Sequence, residues 1–247
     1  MKQFAIDINC DVGEGIGNET EIFPYISSCN IACGGHAGNE ESMSEVVDLA
    51  LQHRVKIGAH PSYPDKENFG REVMDIPNEV LIQSIRDQLQ TFEGILGRKK
   101  AILHHIKAHG ALYNQTAKDG ELAKMYLEAI SAYRQNAILY VPCGSLVANM
   151  AAEMGFKIWY EAFADRNYNE DLSLVSRKNK DALIQEPKEV LLHVLPVIKD
   201  AKVKTVSGEF HKIEANTLCV HGDTASALEI LMYLSRELPK HQVQIQK

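Results

Sequence analysis

His105-Ile106-Lys107-Ala108-His109-Gly110-Ala111-Leu112-Tyr113-Asn114 is the stretch that decides how this chain folds. It continues an apolar run that starts at Ala101, delivers a lysine and a histidine at its end, and passes through a glycine toward a helix. Five other segments repeat the arrangement. They read Asp7-Ile8-Asn9-Cys10-Asp11-Val12-Gly13-Glu14, Asn30-Ile31-Ala32-Cys33-Gly34-Gly35-His36-Ala37-Gly38, Gly58-Ala59-His60-Pro61-Ser62-Tyr63-Pro64, Glu161-Ala162-Phe163-Ala164-Asp165-Arg166 and Cys219-Val220-His221-Gly222-Asp223-Thr224. In each, an apolar strand meets ionisable residues and then a helix. A parallel α/β barrel assembles an active site this way, from the carboxyl ends of several strands.

Working outward, the spacing predicts strands at 4–9, 28–33, 56–59, 101–107, 138–141, 157–161 and 218–221. Helical periodicity falls between them at 40–54, 77–96, 120–133, 145–154, 187–199 and 224–236. Gly97 is expected to end the long second helix, Pro196 to end or kink the fifth, and Asp223 to cap the last. Strand and helix in strict alternation mean parallel pairing with crossover helices. An open doubly wound sheet would concentrate its charged residues near one switch point. Here they follow nearly every strand, so a (β/α) barrel of seven or eight units is predicted. The whole chain, 1–247, reads as one domain with a loosely held polar tail at 239–247.

Composition bounds the function. Twenty-six basic residues against 33 acidic give a net charge of -7, and no basic stripe stands out, so nucleic acid is not expected as a partner. The five cysteines form no CxxC pair and read as reduced thiols of a cytoplasmic protein. No signal-peptide core opens the chain, and no apolar run has membrane-spanning length. Neither a GxxxxGK[ST] phosphate loop, an HExxH pair nor a GxSxG elbow is present.

The ionisable residues at the strand ends carry the chemistry. Asp7, Asn9 and Asp11 alternate and so share a face, as Lys107 and His109 do if their strand extends that far. Asp11 and Glu14 sit beside glycines that let backbone approach a ligand, or else they cap a turn. His36, His60, His109 and His221 each stand next to glycine or proline after a strand, which points to one shared site. His53, His104, His193, His211 and His241 read as ordinary. Asp11, Glu14, His60 and His109 are therefore expected to transfer protons. Asn9, His36, Lys107, Glu161, Asp165, Arg166, Arg177, His221 and Asp223 are expected to bind substrate or phosphate, the arginines by bidentate contact. The plainer reading is an exposed surface lysine for Lys107 and surface ion pairs for Arg166 and Arg177.

Six ordered motifs also carry a family resemblance: N-C-D-x-G-E at 9–14, C-G-x-H-A-G at 33–38, G-A-H-P-S-Y-P-D at 58–65, H-x-K-x-H-G-A-L-Y-N at 105–114, E-x-F-A-D-R at 161–166 and C-V-H-G-D-T at 219–224. On these the chain resembles the LamB/YcsF family across nearly its whole length. It departs at Gly35, where the family has an aromatic residue, at Asn39 for Asp, at Ala108 and Ala225 for Pro, and at Asp181 for Gly. The ionisable residues are kept.

The resemblance implies a distorted (β/α) barrel similar to the glycoside hydrolase and deacetylase superfamily. It implies ATP-dependent hydrolytic opening of the lactam 5-oxoproline to glutamate, with ATP as co-substrate of a complex with partner subunits B and C. Two other readings stand beside it. One is a metal-dependent deacetylase or amidohydrolase working alone, with Asp11, His36 and His60 as ligands of a divalent metal. The other is a non-catalytic component that only presents substrate.

Overall fold

Each predicted strand is short, apolar and followed by a helix that carries the chain back, so neighbouring strands pair in parallel. The computed structural model describes residues 3–222, 224 and 226–247. In chain order its elements are β1 (Phe4–Val12), α1 (Glu19–Ile22), β2 (Ser28–Ala32), α2 (Glu40–His53), β3 (Lys56–His60), α3 (Asn78–Lys99), β4 (Leu103–Ile106), α4 (Gly110–Thr116), α5 (Gly120–Ala129), β5 (Ile138–Pro142), α6 (Leu146–Glu153), β6 (Lys157–Phe163), α7 (Pro187–Asp200), β7 (Lys202–Lys204), β8 (Phe210–Lys212), β9 (Thr217–Val220), α8 (Ala227–Glu237) and β10 (Val243–Ile245). Among the described residues, β1 to β6 and β9 form a seven-stranded parallel barrel, closed by pairing of β9 with β1. β7 and β8 form a small antiparallel hairpin outside it.

Both faces of β1 are buried, but with opposite chemistry. Ile6, Ile8, Cys10 and Val12 belong to the hydrophobic core. Asp7, Asn9 and Asp11 alternate with them and hydrogen-bond across the barrel to β2, β6 and β9. The apolar face packs outward and the polar face lines the barrel interior. Parallel register sets Asp11 beside Asn30 and Ala32 beside His60, so the strand ends carrying ionisable residues lie at one end of the barrel.

Several boundaries differ from the sequence reading. β1 runs to Val12, so Asp11 is a strand residue and not a loop residue. α3 runs through Gly97 and stops at Lys100, which takes the left-handed conformation that closes a helix. α7 continues past Pro196. The carbonyl that loses its partner there belongs to Leu192, which is exposed, so water can satisfy it. α4 was hidden in the His105–Asn114 motif, and α8 starts at Ala227 rather than Thr224. Asp223 and its proposed capping role lie outside the described residues, as does Ala225. In the tail at 239–247, β10 pairs in parallel with the start of β1, and Lys247 Nζ donates to the carbonyls of Pro24 and Ile26.

The departures at Gly35 and Asn39 have local reasons. A Cβ on Gly35 would stand 2.4 Å from Ser62 Oγ and 2.5 Å from Gln88 Oε1. Gln88, from α3, fills that space and hydrogen-bonds both backbone groups of Ser62. Asn39 caps α2 by accepting from the Ser42 amide.

Candidate active site

The barrel interior is a stack of polar layers. Deepest, Asp7 accepts hydrogen bonds from Ser28 Oγ at 2.6 Å, Thr217 Oγ1 at 2.7 Å and Lys56 Nζ at 3.0 Å. Above it, Asn9 Nδ2 donates to Glu161 and Thr217, and Asn30 Nδ2 donates to Asn9 Oδ1 and Asp11 Oδ1. His105 Nε2 donates to Asn30 Oδ1 at 2.7 Å, and its ring stacks on Tyr140. Burial, with the neighbouring His104 and Lys107, holds His105 well below the usual histidine range, so it is neutral. Its ring fits only because residue 58 is glycine: a Cβ there would lie 2.1 Å from His105 Nε2.

The next layer is a buried charge network. Lys107 Nζ lies 3.0 Å from Asp11 Oδ1, 2.9 Å from Glu161 Oε1 and 3.2 Å from Cys219 Sγ. Burial opposes a charged lysine, but Asp11, Cys219 and Glu161 outweigh it and hold Lys107 protonated. Asp11 is buried too, and His60 and Lys107 nonetheless keep its carboxyl well below the usual range. Burial pushes the Cys219 thiol up, so it stays protonated.

Two histidine groups flank this network. In the first, His60 Nδ1 meets the Lys107 carbonyl at 2.8 Å, and His109 Nε2 meets the Phe69 carbonyl at 2.9 Å. His60 Nε2 and His109 Nδ1 are 3.0 Å apart. Glu14 Oε1 lies 3.0 Å from His36 Nε2 and 3.4 Å from His109 Nδ1, and the His36 and His109 rings stack at 3.6 Å. In the second, His221 Nδ1 donates to Asp165 Oδ1 at 2.9 Å. Asp165 also accepts from the His221 amide and from Thr224 Oγ1. Burial alone would raise Asp165, but His221 and these hydrogen bonds hold it below its ordinary value. The His221 ring stacks on Phe163. Its Nδ1 is committed to Asp165, so Nε2 is the nitrogen left for chemistry.

A cavity of about 830 Å³ opens over these groups. Asp11, Glu14, His60, Lys107, His109, Glu161 and His221 line it, and so do Arg71, Lys118, Arg166, Arg177 and Lys178. Acid-base groups thus share one cavity with a set of cations. Arg166 is buried and anchored by backbone carbonyls of Val175 and Ala182. Tyr113 also lines the cavity, its hydroxyl kept protonated by burial and by Glu161.

Most of the residues expected from the sequence therefore converge. Three sit one step back: Asn9 lies beneath the cavity, His36 behind His109, and Asp165 behind His221. Of the metal set expected from Asp11, His36 and His60, Asp11 and His60 meet, Oδ2 lying 3.4 Å from Nε2, and His36 is paired with Glu14. Among the described residues, two groups bring their ligand atoms within 4.8 Å of one another: Glu14, His36, His60 and His109; and Asp11, Cys219 and His221. Asp11 is also held by Lys107 and Asn30. Lys107, expected to hold substrate charge, is already neutralised by two carboxylates. Sequence reasoning missed His105, Asn30 and Ser28. The available signal was polarity at i, i+2 within an apolar strand, as in Ser28-Cys29-Asn30.

Comparison with known proteins agrees with this architecture. The family model described as LamB/YcsF family matches residues 6–247. A protein of Shouchella clausii, named as the A subunit of 5-oxoprolinase, is 42% identical over 98% of this chain and 97% of its own length. A Thermococcus sibiricus protein of the same name is 40% identical over 97% of this chain and 96% of its own. The crystal structure of a lactam utilization protein from Thermus thermophilus superposes with a TM-score of 0.90 at 32% identity, covering 98% of this chain and 99% of that one.

Proposed function

The chain belongs to the LamB/YcsF family, and from that premise we propose that it is the lactam-handling A subunit of a 5-oxoprolinase. The reaction is hydrolytic opening of 5-oxoproline to glutamate, with ATP as co-substrate of a complex with subunits B and C. The observation that carries this reading is the single cavity in which cations stand over buried acid-base groups. A five-membered lactam is a stabilised amide that water attacks slowly. Transfer of a phosphoryl group from ATP to its oxygen activates the ring carbon. Water adds there, and the C–N bond breaks as nitrogen takes a proton, leaving glutamyl phosphate. A second water releases phosphate. The product of the opening is a dicarboxylate, so the site must handle an anionic substrate, phosphate and a water to be deprotonated.

The chain's own residues fit those tasks. Arg166 and Arg177 are suited to the substrate carboxylate or the phosphate. His221, oriented by Asp165 through Nδ1, has Nε2 to accept a proton from water. Lys107 fixes Asp11 and Glu161 and is a positioning residue rather than a substrate clamp. His221→Gln tests the assignment. In the complex reconstituted with subunits B and C, glutamate release should lose about 10²–10⁴-fold in kcat with KM little changed. An unchanged kcat would remove His221 from proton transfer.

A further inference from the structure

Two residues in the wall of the cavity each keep a buried polar atom without a partner. Tyr113 on α4 and Glu161 on β6 are 6% and 2% exposed, and both line the cavity. Among the described residues, the Tyr113 hydroxyl and Glu161 Oε2 make no hydrogen bond. The other carboxylate oxygen is fully engaged: Oε1 lies 2.9 Å from Lys107 Nζ and accepts from Asn9 Nδ2 at 2.9 Å. The Tyr113 ring is held edge-on to Phe163 at 5.7 Å, and Lys107 Nζ stands 6.0 Å from its centre. The hydroxyl proton can turn, but the ring that carries it is fixed. Burial, and then the Glu161 carboxylate beside it, keep that hydroxyl protonated, so it can donate. A donor and an acceptor thus stand as neighbours, shielded from water and unsatisfied, each at a cost to the folded chain.

We propose that Tyr113 and Glu161 read the amide edge of a lactam, the hydroxyl donating to the ring carbonyl and Glu161 Oε2 accepting from the ring N–H. The proposal rests on the lactam reading above and names the groups that carry its specificity. A five-membered ring forces its amide to be cis, which puts N–H and C=O on one edge. An open-chain secondary amide is trans and points them to opposite sides. A neighbouring donor and acceptor therefore suit the ring and not the open amide. Because both atoms are buried and unpaired, a ligand that lacks either half of the edge leaves one of them unsatisfied and is rejected. Arg166 and Arg177, in the same cavity, remain for the carboxylate or phosphate. The plain alternative is that the hydroxyl turns onto Glu161 and only braces it. Removing the hydroxyl would then cost stability and not affinity.

Tyr113→Phe removes the hydroxyl and keeps the ring. In the complex reconstituted with subunits B and C, KM for 5-oxoproline should rise about 5–10-fold. The urea midpoint of the variant chain should not fall, because an unpartnered hydroxyl holds nothing in place. The lactone 5-oxotetrahydrofuran-2-carboxylate keeps the ring, the carbonyl and the carboxylate but has a ring oxygen where the N–H stood. As a competitor of the wild-type complex it should bind about 10–100-fold more weakly than 5-oxoproline. An unchanged KM in Tyr113→Phe would overturn the contact to the carbonyl, and with a lowered urea midpoint it would make the hydroxyl a brace for Glu161. A lactone that binds as well as 5-oxoproline would overturn the contact to the N–H. Wild-type turnover, measured alongside, separates these outcomes from the lactam reading. With glutamate released normally they remove the amide-edge contacts alone, and with no release both proposals fall.

Discussion

His221 is oriented by Asp165, and the two should fail together. Asp165→Asn keeps the size of the side chain but no longer fixes the tautomer, because an amide can also donate. Turnover in the reconstituted complex should fall about 10²–10⁴-fold while KM stays close to wild type. The same carboxylate has a stability signature. His221 and Thr224 hold Asp165 below its ordinary value despite burial. Ionised Asp165 therefore stabilises the fold above the usual carboxylate pKa, about 4, and that contribution disappears as pH falls through the lower folded value. The urea midpoint of the wild type should fall more steeply with acid than that of Asp165→Asn. Lys107 makes a different prediction. Lys107→Met leaves Asp11 and Glu161 buried without their cation, at a cost of about 3–5 kcal/mol. Urea unfolding should register that loss. A stability equal to wild type would show that the network tolerates its removal and that Lys107 acts on substrate instead.

At the scale of the elements, the barrel works because its strands present a polar face inward. Gly58 on β3 makes room for His105 on β4, and His105 in turn orders Asn30 and, through it, Asp11. Gly58→Ala forces the ring aside and should destabilise the chain by about 1–3 kcal/mol. It should also disturb Asp11 enough to lower kcat. A crystal structure with His105 unmoved and a wild-type denaturation midpoint would contradict this. The strand ends were legible in the sequence because histidine beside glycine or proline, directly after an apolar run, is rarely a repeated accident. The polar lumen was less so. In a barrel both strand faces are buried, so Ser28 and Asn30 sit among apolar neighbours without the exposed alternation that marks a strand's polar side. Helix ends were misread for a related reason. Packing carries α3 past Gly97 and α7 past Pro196, overriding the local signals of single residues.

For the whole molecule, a seven-stranded barrel stands under one cavity, and the sequence motifs contain the acid-base residues that line it, with Asn9, His36 and Asp165 behind them. What they could not settle was the division of labour within it. Proton transfer was expected of His60 and His109, whose rear nitrogens turn out to be tied to the backbone and whose free ones face each other. The Asp165–His221 pair, read as binding residues, has the geometry of an acid-base pair, and only the fold brings 165 and 221 together. The chain has no phosphate loop of the Walker type, so ATP chemistry should depend on the assembled complex. The decisive measurement is the rate of glutamate release from 5-oxoproline by this chain, alone and with subunits B and C, in the presence and absence of ATP. Release only when the complete complex and ATP are both present is the expected result. Ring opening by the chain alone without ATP, or no glutamate from the complete mixture, would contradict the function proposed for this site.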